Sequence, residues 1–337
     1  MQISDRQLLQ RRLFPDGIPR LWCPTLTHFK AARVPDADRM SAHLSRLAPY
    51  VKGILVPGST GEGWEMSDAE VRELLEICLP CAESVGMRVL IGLLKTETAQ
   101  MLAALDSLAD LCNHPAVVGI TVCPPQGAHL TQSQLAGGLR QVLARELPTA
   151  LYQLPQVTQN ELERKTVAAL AAEYQNLIMF KDTSGEDRVA LSDADLGGVF
   201  LVRGSERGGY AKWHRSAGGP YDGFLLSTAN CFAPELAKIL DMLDSGSAAE
   251  AKELSNQVER IVSAAFELVQ TFPAGNPFTN ANKILDHIIT FGSEAASVPP
   301  PLLISGVRLP DDMISQLQRT YHATFSTHLR ESPPARD

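Results

Sequence analysis

Eight short apolar runs, separated by stretches of a different period, constrain this chain more than any other feature. They fall at 20–27, 51–57 (VKGILVP), 88–94 (RVLIGLL), 116–123 (AVVGITVC), 149–154 (TALYQL), 177–181 (LIMFK), 199–203 (VFLVR) and 222–226 (DGFLL). Taken together they are rich in β-branched residues, and none alternates polar with apolar, the pattern of strands buried on both faces. Between them, apolar residues recur at spacings of three and four over 36–47, 67–85, 96–112, 131–145, 160–174, 187–196, 207–217 and 233–243, which predicts helices. Ser67 with Glu70, and Thr131 with Gln134, read as capping boxes at two of the helix starts. Strands alternating with helices in this number predict an α/β fold, a (β/α)8 TIM barrel. An open doubly wound sheet is the alternative, weakened because no GxGxxG follows the first strand.

The ends of the chain break the rhythm. Residues 1–17 read as an N-terminal extension holding a short helix, and the barrel is expected over 18–245. Helical periodicity alone follows, over 248–270, 276–291 and 311–325, with the Pro-rich SVPPPLLISGVRLP before the last, so 246–327 reads as a C-terminal helical layer. The closing residues 328–337, including ESPPARD, have the composition of a disordered tail.

Composition narrows the partners. The formal net charge is −8 with no cluster of Lys and Arg, so the electrostatic footprint of a nucleic-acid or anionic-membrane binder is missing. The first residues lack an apolar signal core and no run of eighteen apolar residues occurs, which reads as a cytoplasmic protein acting on small molecules or pairing with copies of itself. Six scattered cysteines do not form a disulfide framework. Cys78 and Cys81 make a CxxC, but inside a helical segment with no second ligand pair, so they read as helix cysteines and no metal site is expected.

Active sites of α/β barrels lie at the C-terminal ends of the strands. The sixth run ends there in Lys181, at the head of KDTSG. Burial disfavours an ammonium, and a lysine with a lowered pKa offers a free amine able to attack a ketone. The other reading is a lysine whose stem lies on apolar surface while its head reaches water. Tyr152 closes the fifth run, either as a proton relay or as a core tyrosine bonded to backbone. After the second run, PGSTGEG places the hydroxyls of Ser59 and Thr60 between glycines, in a turn suited to a carboxylate or simply joining strand to helix.

GSTGE, YQLP and FKDTSG, in this order, resemble the motifs of the dihydrodipicolinate synthase/N-acetylneuraminate lyase family of class I pyruvate-type aldolases, over about 18–310. The resemblance implies a barrel, a homo-oligomer (tetramer or dimer), a lysine Schiff base to a 2-keto acid, and no metal or organic cofactor. It places Lys181 as the Schiff-base lysine, Tyr152 as the proton-relaying phenol, and Ser59 with Thr60 as the hydroxyl pair that binds the keto-acid carboxylate. Gly204 matches the position whose backbone faces the substrate, followed by Ser205 and Glu206, and Ser227 matches a substrate-facing serine.

Two positions depart from that pattern. Val157 stands where the synthase branch has an arginine for a second carboxylate, which argues against condensation with aspartate semialdehyde. Pro125 and Gln126 stand where many members have an aromatic pair ending in a tyrosine that crosses a subunit interface. The relay must then end in water, Gln126 or His129. A milder change puts Gln153 where asparagine is common. The expectation is a Schiff-base aldolase or lyase cleaving or condensing a 2-keto-3-deoxy acid. A dehydratase using the same iminium and a non-catalytic keto-acid-binding barrel are the alternatives.

Overall fold

The structure, a computed structural model, describes residues 4–325. Eight parallel strands close into a barrel: β1 (Leu21–Pro24), β2 (Gly53–Val56), β3 (Arg88–Leu93), β4 (Val117–Val122), β5 (Thr149–Gln153), β6 (Leu177–Asp182), β7 (Phe200–Arg203) and β8 (Gly223–Leu225). Each pairs with its neighbour in sequence, and β8 returns to β1 through Leu21–Phe224 and Trp22–Leu225. The predicted TIM barrel is the observed fold. Its eight strands lie within or one residue beyond the runs read from the sequence, because parallel strands enclosed on both faces need continuous apolar character.

The helices on the outside are α1 (Asp5–Leu13), α2 (Ala37–Leu47), α3 (Asp68–Ser84), α4 (Thr98–Ser107), α5 (Gln132–Leu143), the single turn α6 (Pro155–Thr158), α7 (Arg164–Glu173), α8 (Ala229–Asp244), α9 (Ala248–Val269), α10 (Pro277–Phe291) and α11 (Asp311–Phe325). Both expected capping boxes are formed, at Ser67 with Glu70 and at Thr131 with Gln134. Cys78 and Cys81 lie on α3 as free thiols, Cys78 buried. No helix among the described residues is long and apolar enough to cross a membrane. The segment 328–337, read as a disordered tail, lies outside the described residues.

Two expected barrel helices do not form. In 187–196, Asp187 takes the left-handed region (φ 55°) and turns its carboxylate to Arg203 and Tyr221, leaving only the turns Leu191 N to Asp187 O and Ser192 N to Val189 O. In 207–217 there are only two 3-10 turns, Ala211–Trp213 and Arg215–Ala217. There α9 supplies the bonds a helix would have made: Ser255 Oγ accepts from Tyr210 N at 2.9 Å and the Glu259 carboxylate from Gly208 N at 3.1 Å. The structure adds a two-stranded hairpin after β1, Phe29–Ala31 with Val34–Pro35.

α1 closes the N-terminal end of the barrel. Phe14 meets Trp22 edge to face at 5.9 Å, and Trp22 lies across Gly53, where any Cβ would fall inside the indole ring. Large against small at neighbouring positions fills the barrel floor as one cluster with Leu55, Leu90, Ala150 and Val202. Arg6, 1% exposed, donates to the carbonyls of Leu177 (2.6 Å), Gly197 (2.6 Å), Tyr174 (2.9 Å) and Ala171. Gln10 adds bonds to Ile178 O and Gly198 O, both 3.0 Å. The extension is therefore a plug that satisfies backbone acceptors at the start of β6 and β7. Arg6→Ala removes charged donors from several buried carbonyls at once, and urea denaturation should show a loss of about 3 kcal/mol.

Candidate active site

β5 and β6 are in register such that Tyr152 pairs with Lys181. Their side chains share the C-terminal mouth of the barrel, and Lys181 Nζ lies 3.8 Å from the centre of the Tyr152 ring. From β7, Gly204 closes the other side. A Cβ there would stand 2.7 Å from Lys181 Cε and would also collide with Thr183 Oγ1, so glycine is what leaves room for the lysine stem. Lys181 is 3% exposed, and burial lowers its pKa to about 7 against the opposing influence of Cys123 and Glu206. The amine is thus substantially uncharged near neutrality. Burial pushes the Tyr152 phenol the other way, well above its ordinary value, with the Ser59 hydroxyl opposing.

Ser59 Oγ lies 3.4 Å from Tyr152 Oη and accepts the indole N–H of Trp64 at 2.8 Å. Neither the Ser59 nor the Thr60 backbone N–H has a hydrogen-bond partner among the described residues, which leaves two donors beside two hydroxyls. The C-terminal layer holds this turn from outside. Thr279 Oγ1 donates to Thr60 O at 2.9 Å, and Lys283 Nζ, from α10, meets Glu62 Oε2 at 2.5 Å with both side chains almost fully buried. The other Glu62 oxygen accepts Ile304 N at 2.8 Å. Glu62 therefore fastens the turn to α10 and to the segment at Ile304.

Across the mouth, Glu206 gathers donors. Its carboxylate accepts from Ser227 Oγ (2.6 Å), Thr228 N (3.0 Å), Thr228 Oγ1 (2.5 Å) and Tyr210 Oη (3.2 Å). The loop carrying Gly204, Ser205 and Glu206 is fixed by Arg203, which grips Asp187 with two bonds (3.0 and 3.1 Å) and donates to the carbonyls of Ser205 and Arg207 at 2.9 Å each.

The structure thus brings Lys181, Tyr152, Ser59, Thr60, Gly204, Ser205, Glu206 and Ser227 to one end of the barrel. Val157 packs beside Tyr152, Cys123 and Leu154 as an apolar wall. Gln126 and His129 are exposed, and the Gln126 amide donates to Val157 O at 2.8 Å, away from the hydroxyls. The sequence reading missed Trp64, which stands five residues after Ser59 in GSTGEGW, and Thr183, whose buried hydroxyl joins Ser59 in opposing the rise of the Tyr152 pKa. The signal for Thr183 was its place two residues after Lys181. For Trp64 there was none, since only the folded turn brings the indole back over the serine.

One group among the described residues has the makings of a metal site, the buried His28, His43 and Asp286. Both Asp286 oxygens are already occupied by guanidiniums, Oδ2 by Arg39 at 2.8 Å and Oδ1 by Arg46. Although burial works against ionisation, His43, His28 and Arg46 hold the Asp286 carboxyl well below its ordinary range. A carboxylate saturated with fixed cations is a poor metal ligand, and the cluster ties α2 to α10.

The model of the Dihydrodipicolinate synthetase family matches residues 40–276. The chain belongs to the dihydrodipicolinate synthetase family. A family relative, the 4-hydroxy-tetrahydrodipicolinate synthase of Parasynechococcus marenigrum, is 28% identical over 303 residues, covering 88% of this chain and 91% of its own. Among solved structures, YagE from E. coli K12, a prophage protein crystallised with pyruvate, superposes with a TM-score of 0.75 at 19% identity, over 91% of this chain and 98% of that one. A variant of the Sulfolobus solfataricus 2-keto-3-deoxygluconate aldolase superposes with a TM-score of 0.73 at 17% identity, over 93% and 98%. These structural likenesses establish the fold of the family member described here.

The fastening of the Ser59 turn is testable without a substrate. Lys283→Met leaves Glu62 buried and unpaired, and should cost about 3–5 kcal/mol in urea denaturation. Adding Glu62→Gln should recover part of that loss, because the uncompensated charge is removed.

Proposed function

We propose that this chain is a Schiff-base-forming aldolase or lyase that cleaves a 2-keto-3-deoxy acid to pyruvate and an aldehyde, or condenses them in reverse. The observation that carries the reading is the pairing of Lys181, with its pKa near 7, against Tyr152 across adjacent strands. Membership of a family with pyruvate and keto-deoxy-acid enzymes among its structural neighbours supports it.

In this mechanism the Lys181 amine attacks the C2 ketone, and the oxygen leaves as water with the proton of Tyr152. Ketone, amine and phenol become iminium, water and phenolate, with charge conserved. The phenolate then takes the proton of the C4 hydroxyl, the C3–C4 electron pair moves toward the iminium, and an aldehyde departs from an enamine. Tyr152 returns the proton to C3, and water releases pyruvate while restoring amine and phenol. The Thr60 hydroxyl and the free backbone N–H groups of Ser59 and Thr60 hold the substrate carboxylate, which leaves the Ser59 hydroxyl to Tyr152. Ser205 and Ser227 face the aldehyde half, with the Glu206 carboxylate behind them fixing Ser227 by its hydrogen bonds, while Gln126 stands at the rim. Val157 has no charge to offer a second carboxylate, which supports a neutral aldehyde over an acidic one. The reading carries with it a small-molecule 2-keto acid partner, a covalent lysine adduct in place of a separate cofactor, and a homo-oligomeric active unit.

Incubation with pyruvate and borohydride should add one reduced pyruvate to the native chain by intact mass, and none to Lys181→Ala. Pyruvate release from 2-keto-3-deoxy acids then establishes cleavage. A product that keeps every carbon establishes dehydration through the same iminium, and an adduct without turnover of any such acid establishes a binding protein.

The pH dependence has a defined sign. Below about 7 the Lys181 amine is protonated and cannot attack, so the trapping rate at low pyruvate should fall tenfold per unit there and level off above. Glu206 favours the ammonium, so Glu206→Gln should move the midpoint to lower pH, with trapping persisting into mildly acidic solution.

A further inference from the structure

The hydroxyl chain Trp64, Ser59, Tyr152 has a direction. An indole N–H donates and never accepts. Its 2.8 Å bond occupies one lone pair of Ser59 Oγ, which leaves that hydroxyl its hydrogen and one further lone pair toward Tyr152 Oη at 3.4 Å, where either oxygen can be the donor while both are protonated. Once Tyr152 has given up its proton only one direction remains, with Ser59 donating to the phenolate oxygen. Trp64 is half-buried and packs against the apolar cluster of Leu94, Cys123, Tyr152 and Leu154, which holds the indole in place. The residues after β4 do not reach this chain: Pro125 has no polar side chain and Gln126 donates to Val157 O.

The geometry points to Trp64 as the positioning residue that ends the proton chain of this site from within its own subunit, holding the Ser59 hydroxyl as a donor to the Tyr152 oxygen. The inference rests on the Schiff-base reading above. When iminium formation takes the Tyr152 proton, the phenolate receives a hydrogen bond already polarised by the indole. The same indole closes the path outward, because it cannot pass a proton on. The proton taken from the substrate hydroxyl therefore stays on Tyr152 for return to C3. No phenol from a neighbouring copy is needed for that cycle.

Pyruvate alone serves as the probe. Its methyl hydrogens exchange with D2O above the enzyme-free background when iminium and enamine interconvert, so the background-corrected exchange at saturating pyruvate, followed by NMR across pH, reads the relay. Intact mass after borohydride reads the Schiff base separately. Trp64→Phe keeps the ring and removes the donor; Trp64→His restores a donor on a smaller ring. For Trp64→Phe we expect a native yield of adduct, exchange about tenfold slower, and an ascending limb moved to higher pH, because the phenolate has lost a link of its donor chain. Trp64→His should recover part of both. A second measurement uses the unaltered chain: the indole N–H resonance of Trp64, separated from those of Trp22 and Trp213 by single Trp→Phe replacements, should shift downfield when pyruvate forms the iminium.

Native exchange and an unmoved pH limb in Trp64→Phe would make Trp64 a packing residue and overturn the proposal. So would an indole resonance unmoved on iminium formation, which decides the matter if Trp64→Phe does not fold by circular dichroism. A native chain that forms the adduct but exchanges no methyl hydrogen also overturns it. No adduct on the native chain is a different failure, that of the Schiff-base reading itself.

Discussion

An amine buried at the mouth of a closed barrel is the constraint from which the rest of the site follows. Lys181 sits 3% exposed between the Tyr152 ring and the Gly204 backbone, where water cannot solvate an ammonium well. Desolvation is the largest influence on its pKa, and the Glu206 carboxylate across the mouth opposes it without restoring the ordinary value. The outcome is an amine poised near neutrality beside a phenol that holds its proton, the pair that the proposed mechanism uses as nucleophile and acid. Neither side chain would have these properties on an open loop, where solvent would return each to its reference value.

Such a slot needs rigid walls, and three buried charge clusters supply them. Lys283 with Glu62 ties the Ser59 turn to α10. Arg203 with Asp187 ties the Gly204 to Glu206 loop to the segment after β6, and Arg203 also lies over the Trp213 ring at 3.9 Å. Asp286, held by Arg39 and Arg46, ties α2 to α10, and His43 carries the network to Asn230, which bonds to Pro24 O and Ser227 O. Buried ion pairs contribute little net stability compared with apolar residues of the same shape. Their geometry is demanding, however, and each one here stands directly behind a loop of the active site. The C-terminal helices are thus part of the site's construction, since α10 provides Thr279, Lys283 and Asp286 to two of the three clusters.

Much of this was legible in the residues because local patterns carried it. Continuous apolar runs are what enclosed parallel strands require, and all eight were read to within three residues of their ends. Lys181, Tyr152, Ser59 and Glu206 stand at strand ends, and a barrel puts all its strand ends on one face, so their gathering followed from the fold. Periodicity misled at 187–196 and 207–217. Both have helical spacing, yet Asp187 is drawn to Arg203 and Tyr221, and the 207–217 backbone is drawn to Ser255 and Glu259 on α9. Those partners lie far along the chain, and their pull on the backbone leaves no mark in a local window.

What the sequence determined by itself is the barrel, its order of strands and the chemistry delivered to its mouth, because these depend on period, composition and position along each strand. What only the tertiary structure decided is how that chemistry is held and finished. The sequence left the end of the relay open among water, Gln126 and His129. Folding turned Gln126 and His129 outward and brought Trp64 back onto Ser59 through the turn that Lys283 pins. A hydrogen bond needs its donor within about 3 Å and aimed at a lone pair. Spacing along a chain cannot specify that; packing in three dimensions can.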